Sequence, residues 1–150
     1  MNMSDSVIHV DQLKSYLPHR APMIWVDEVI SVGDDSGIIA VELKEDAHYF
    51  DTVNLRNTSF IEWMAQGWGY LVGAKLLNSG KLVQPKRAFL AGVNNFEVHY
   101  NPQLIPGDMV FVHLKLRKDL GQVMMVDGRI LFGEEQACIC TARLKLFIES

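Results

Sequence analysis

The segment from about Thr58 to Asn78, most of which reads FIEWMAQGWGYLVGAKLLN, contains only two charged side chains, Glu62 and Lys75. Its length and its good helix formers predict a helix, even though Gly67, Gly69 and Gly73 weaken it, and Ser79-Gly80 ends it. A helix that is apolar nearly all round has no face to show water, so the rest of the chain must enclose it. The helix glycines are expected to let that enclosing structure approach closely.

The flanking segments read as strands. Met23 to Ser31 and Gly37 to Lys44 are rich in Ile, Val and Trp and are separated by a polar turn, Gly33-Asp34-Asp35-Ser36. After Pro85, strand composition recurs at Ala88 to Tyr100, Met109 to Lys118, Gln122 to Phe132 and Gln136 to Ile148, with turns at Pro106-Gly107-Asp108, at 118–121 and at Gly133-Glu134-Glu135. Asp127-Gly128 is a competing hairpin signal; a turn there would split a long strand, so a bulge is expected instead. Near the start, Asp11 can cap a short amphipathic turn through Leu13, Tyr16 and Leu17 that Pro18 and Pro22 stop. Two strands, one buried helix and four further strands give an α+β order in which a single antiparallel sheet curls around the helix, the layout of the hotdog fold. Such a sheet leaves an edge strand, and long edges are usually paired or covered, so a dimer is expected.

Composition narrows the function. The 150 residues offer no interdomain linker and are 49% apolar, which points to one domain spanning 1–150 with a single core. The net charge is -4 and the 14 basic residues are scattered along the chain, so nucleic acid is not an expected partner. Neither a basic patch nor an apolar run opens the chain, and nowhere do eighteen apolar residues follow one another. A soluble, cytoplasmic protein that does not enter a membrane is expected. Cys138 and Cys140, two apart in a strand, share one face of the sheet and read as buried free thiols. No CxxC or HxxxH cluster suggests a metal, Gly67-Trp68-Gly69 lies within the helix and is no nucleotide loop, and no GxSxG or Walker sequence appears.

One pair of residues is a candidate for chemistry. His48 follows the second strand, and Glu62 lies fourteen positions later in the first turn of the helix. An imidazole, which titrates near neutrality, and a carboxyl group together supply a base and an acid. Each also has a structural reading. Ser59-Phe60-Ile61-Glu62 fits a capping box, His48 fits an ordinary loop position, and His9, His19, His99 and His113 compete with it. Spacing alone does not choose.

Four separated segments do choose, because they resemble the bacterial 3-hydroxyacyl-ACP dehydratases of fatty acid synthesis. Leu17-Pro18-His19-Arg20-Ala21-Pro22-Met23 with Val26-Asp27 is similar to the LPHRxP opening of that family, and Leu90-Ala91-Gly92-Val93 and Ile105-Pro106-Gly107-Asp108 are similar to its later segments. Between them the family places a catalytic His fourteen residues before a helix-opening acid followed by a short apolar run and Gln; here these are His48 and Glu62-Trp63-Met64-Ala65-Gln66. The resemblance implies elimination of water from a 3-hydroxyacyl thioester, with His48 as base at C2 and Glu62 as acid at the C3 hydroxyl. It implies a substrate carried on the phosphopantetheine of acyl carrier protein, no metal or redox cofactor, and a site completed across a dimer interface. The amide of Asn57 would stabilise the thioester carbonyl; Phe50 would meet the substrate, and Trp25, Phe60, Trp63 and Phe89 would line an acyl channel, aromatic core packing being the competing reading for these four.

The chain also departs from that family. The usual HFPG is His48-Tyr49-Phe50-Asp51, and the usual PG before the helix is Arg56-Asn57, so two glycines that tolerate close ligand approach are replaced. The altered loop resembles a divergent dehydratase branch of aryl polyene synthesis, in which two unlike hotdog subunits form one enzyme. Homodimer and heterodimer are both open. An acyl thioesterase and a non-catalytic subunit completing a partner enzyme share the fold and stand as alternatives.

Overall fold

The computed structural model describes residues 7–9, 26–44, 50–51, 54–55, 59–80, 88–100 and 103–148. The helix, α1, spans Ser59–Ser79, within one residue of the expected limits. Phe60, Trp63, Met64, Tyr70 and Ala74 have no exposed surface at all, and exposed positions begin only at Val72 and become continuous from Leu77. The first three turns are therefore enclosed as the lack of a polar face requires, and only the last turns emerge.

Strands β1 (Ile8–His9), β2 (Glu28–Val32), β3 (Ser36–Glu42), β6 (Ala88–Val98), β7 (Met109–Asp119), β8 (Val123–Phe132) and β9 (Ala137–Ile148) form one seven-stranded sheet in the order β1-β2-β3-β7-β8-β9-β6. Every pairing is antiparallel. β4 (Phe50–Asp51) and β5 (Asn54–Leu55) pair separately just before the helix. The six expected strands are present, with the two-residue β1 and the small β4-β5 pair in addition. The first expected strand starts only at Glu28 among the described residues; the short turn expected at 11–17 lies outside them.

Alternation sorts the strand residues. Val110, Val112 and Leu114 of β7, Val126 and Ile130 of β8, and Leu144 and Leu146 of β9 turn inward to the helix and are buried. The sheet curls by register shifts at Val29/Ser31, Leu90/Gly92, Asn94/Glu97, Leu116/Lys118 and Ile130/Leu131. The expected bulge at Asp127-Gly128 is not among them. Asp127 pairs in regular register with Lys115 and Arg143, and Gly128 with Leu114 and Ala142. Gly128 answers a packing demand instead, since a Cβ there would sit 2.6 Å from Met64 Sδ of the helix.

Close approach of sheet and helix thus rests on glycines of both. Gly67 of α1 faces Leu114 and Ile39, where an added Cβ would come within 3.0 and 3.1 Å, in line with the reading of the helix glycines. The sheet glycines are tighter still. At Gly37 an added Cβ would strike the Leu71 methyls and lie 2.8 Å from the Ser31 carbonyl oxygen. A thioether can swing aside, but a paired backbone carbonyl cannot. Gly37→Ala should therefore destabilise by about 1–3 kcal/mol, the usual range for overpacking, and Gly128→Ala by less; urea denaturation of the two variants reads the order directly.

The two thiols are free, with Cys140 buried and Cys138 only partly so, which corrects the expectation that both are buried. Burial, then the neighbouring Cys138, push the Cys140 thiol up to about 12. At pH 8 only ~10⁻⁴ of it is thiolate, the reactive form. A disulfide reagent should accordingly modify no more than one thiol per folded chain, the second reacting only after denaturation; two fast equivalents on the folded protein would contradict the packing around β9.

Candidate active site

Glu62 stands in the first turn of α1, partly buried, on the stretch of the helix that the sheet encloses. The capping-box pattern looks backward from Glu62 to the helix start. A bond runs forward as well: Gln66 Nε2, one turn on, donates to Glu62 Oε1 at 2.9 Å. Gln66 itself is only 1% exposed. A buried amide is costly unless bonded, so this contact both satisfies Gln66 and fixes one carboxyl oxygen. That leaves Glu62 a partly buried carboxyl with one oxygen fixed, a group of the kind that serves as a general acid or base. The sequence carried Gln66 only as the end of a motif; its bond to Glu62 follows from helical spacing, since residues four apart face each other.

Two other motif segments converge on the end of β3, from which the chain leads on to His48. Asp27 Oδ2 accepts the Glu42 amide at 2.6 Å, and Asp27 Oδ1 accepts Lys44 Nζ at 2.5 Å. On the other side, the Leu43 amide donates to the Asp108 carbonyl and the Gly107 amide to the Leu43 carbonyl, each at 2.8 Å. Asp108 Oδ2 accepts the Ile105 amide at 3.0 Å and so closes its own turn, where Gly107 has a φ of 97° that suits glycine. Val26-Asp27 and Ile105-Pro106-Gly107-Asp108, eighty residues apart in sequence, are thus joined through residues 42–44. They hold the strand end that precedes His48.

His48 and Asn57 lie outside the described residues, as do Trp25 and the replaced Arg56. Phe50 belongs to β4 and Asp51 follows it, paired with Leu55 and Asn54 respectively. Phe60 and Trp63 are fully buried and pack on each other, with ring centroids 5.5 Å apart and planes tilted by 54°. Phe89 is not with them. It lies on β6 and is 50% exposed. The structure therefore brings Glu62, Gln66, Phe60 and Trp63 together on the first turns of α1 and sets Phe89 on the sheet edge. Among the described residues no group of three His, Cys, Asp or Glu side chains converges to hold a metal ion, and no helix is long and apolar enough to cross a membrane.

Comparison with known proteins bears on this arrangement. Residues 11–150 match the model of the ApeP-like family, the ApeP dehydratases. The 3-hydroxyacyl-[acyl-carrier-protein] dehydratase FabZ of Lactococcus lactis subsp. cremoris is 34% identical over 131 residues, covering 84% of this chain and 86% of the relative. Among solved structures, the dehydratase heterocomplex ApeI:P from Xenorhabdus doucetiae superposes with a TM-score of 0.78 at 23% identity, over 95% of this chain and 92% of that one. A hypothetical thioesterase from Streptococcus pneumoniae, solved with coenzyme A, shares the fold at a TM-score of 0.58 and 11% identity, over 81% and 84% of the two chains. The last two are likenesses of fold, which dehydratases and thioesterases hold in common. The family is fixed by the match that runs almost from end to end and by the identity to FabZ: this chain is a hotdog-fold protein of the ApeP-like dehydratase family.

Proposed function

We propose that the chain removes water from a 3-hydroxyacyl thioester carried on the phosphopantetheine of acyl carrier protein, giving the trans-2-enoyl product. The observation that carries this reading is the partly buried Glu62, held by Gln66 at the start of an enclosed helix in a chain of this family. His48 takes the proton from C2, electrons shift toward the thioester carbonyl, and the C3 hydroxyl leaves as water with a proton from Glu62. The Asn57 amide meets the carbonyl oxygen where negative charge develops. Phe50, Phe60 and Trp63 shape the apolar channel, and Phe89 meets it from the edge strand.

Two protomers complete the site, with His48 and Glu62 contributed across the interface. The fold supplies a reason for pairing. Among the described residues β6 is hydrogen-bonded to β9 on one side only, and it ends the sheet with Phe89, Leu90, Phe96 and Val98 exposed. A long apolar edge calls for a partner strand. The partner is a second copy or an unlike hotdog subunit of an aryl polyene dehydratase, and the protein works in the cytoplasm.

Incubation with 3-hydroxyacyl-ACP, with and without candidate hotdog partners, tests the reading through the 2-enoyl product. Folded His48→Ala and Glu62→Gln variants should each lose about 10²–10⁴-fold in turnover, the range for one acid or base. Release of free carrier thiol in place of the enoyl product would make the chain a thioesterase. Full activity of a reconstituted complex whose copy of this chain lacks both His48 and Glu62 would make it a scaffold.

The hydrogen-bond geometry adds a finer expectation. Asp27→Ala removes the acceptor for Glu42 and Lys44. It should lower kcat about tenfold, 1.4 kcal/mol of misplacement, while Asp27→Asn, which keeps one acceptor oxygen, recovers part of the loss. Equal melting losses in both variants without any change in kcat would show that the anchor serves stability alone.

A further inference from the structure

The face of the sheet turned away from α1 carries a cationic groove that the dehydratase site does not use. Its floor is the backbone of the row Gly37, Leu114, Gly128 and Ala142, adjacent across β3, β7, β8 and β9, with the side-chain positions of the first three turned to the helix. Two ranks of outward side chains border it: His113, Arg129 and Thr141 on one side, and Lys115, Asp127 and Arg143 on the other. The groove has a volume of about 540 Å³, and a second depression of about 480 Å³, lined by Leu116, Arg117, Lys118 and Met125, continues it through Lys115, Asp127 and Arg143.

Charge is concentrated here as the sequence did not suggest. The basic residues that look scattered along the chain include five, Lys115, Arg117, Lys118, Arg129 and Arg143, that pairing of three strands collects on this one face of a chain whose net charge is -4. Among the described residues the only carboxylate lining either depression, Asp127, is already taken: Arg143 Nε donates to its Oδ1 at 2.9 Å and Arg117 Nη1 to its Oδ2 at 3.2 Å. Lys115 and Arg129 have no acidic partner among the described residues. His113, between them, is held below its ordinary value by burial and then by Arg129, so it meets a ligand as a neutral imidazole at pH 7.

We propose that this groove binds a small ligand bearing a di- or triphosphate group. The two ranks are two residues apart along each strand, about 7 Å, so a phosphate lying between them reaches Arg129 from one side and Lys115 and Arg143 from the other. Four strands give the groove a length of roughly 14 Å, room for consecutive phosphates. Guanidinium groups suit phosphate through paired N–H donors, and Thr141 and His113 add neutral hydrogen bonds.

The test is calorimetric titration of the intact protein with pyrophosphate and tripolyphosphate at low salt, with orthophosphate as a single-phosphate control. Saturable binding of one pyrophosphate or tripolyphosphate per chain is expected, weakened about tenfold or more in the Lys115→Ala/Arg129→Ala double variant and falling steeply with added salt. The His113 ring resonance provides a second readout. Its midpoint should lie below 6.5 in the free protein and move up on binding, because an anion offsets the repulsion from Arg129 while Asp127 stays paired with its arginines. No saturation at millimolar concentrations, unchanged affinity in the double variant, or an unmoved His113 midpoint would overturn the proposal. So would a face closed by protein, read as a change of assembly mass in the double variant with no phosphate binding in the parent.

Discussion

Enclosure of one nearly uncharged helix governs this molecule. Because the first turns of α1 present apolar side chains in every direction, no single flat surface can cover them, and the sheet has to bend. Bending needs register shifts, and the strands supply them at five places. It also needs short distances between layers, which is why glycine recurs where helix and sheet meet, at Gly37, Gly67 and Gly128. Hydrophobic burial drives the wrapping, and the absence of three Cβ atoms decides how closely it can be done.

The same enclosure creates the conditions for chemistry. A carboxyl group at the beginning of such a helix is drawn to the edge of an apolar interior, and Gln66 keeps one of its oxygens in place. The end of β3 is tied by Asp27 on one side and by the turn at Gly107-Asp108 on the other. Two motifs that look like unrelated fragments of a family signature thus have a shared physical task. They secure neighbouring residues of one strand end, Asp27 holding Glu42 and Lys44 and the Gly107-Asp108 turn holding Leu43.

The outer face shows the converse of this economy. Positions whose side chains turn inward to the helix leave bare backbone as a floor outside, and period-two alternation sends the charged residues of β7, β8 and β9 to its borders. A groove and a cluster of cations arise from the strand register that also forms the core. The edge strand β6, with its exposed apolar side chains, is the remaining unfinished surface of the sheet.

Periodicity and composition were enough for the helix limits, the six long strands, their α+β order and the need for a curled sheet, since each of these follows from local preference and from apolar residues that must be buried. The order of motifs around Glu62 was enough for the family. Other features were invisible along the chain because they depend on which strand lies beside which. Gly128 looked like a bulge residue and is a site of helix contact, five of the 14 basic residues that looked dispersed share a face, and Cys138 is less buried than its neighbour two positions on. Sequence sets what each segment prefers, through covalent geometry and side-chain chemistry. Register and layer distance, settled only when the sheet closes on the helix, decide which of those side chains meet.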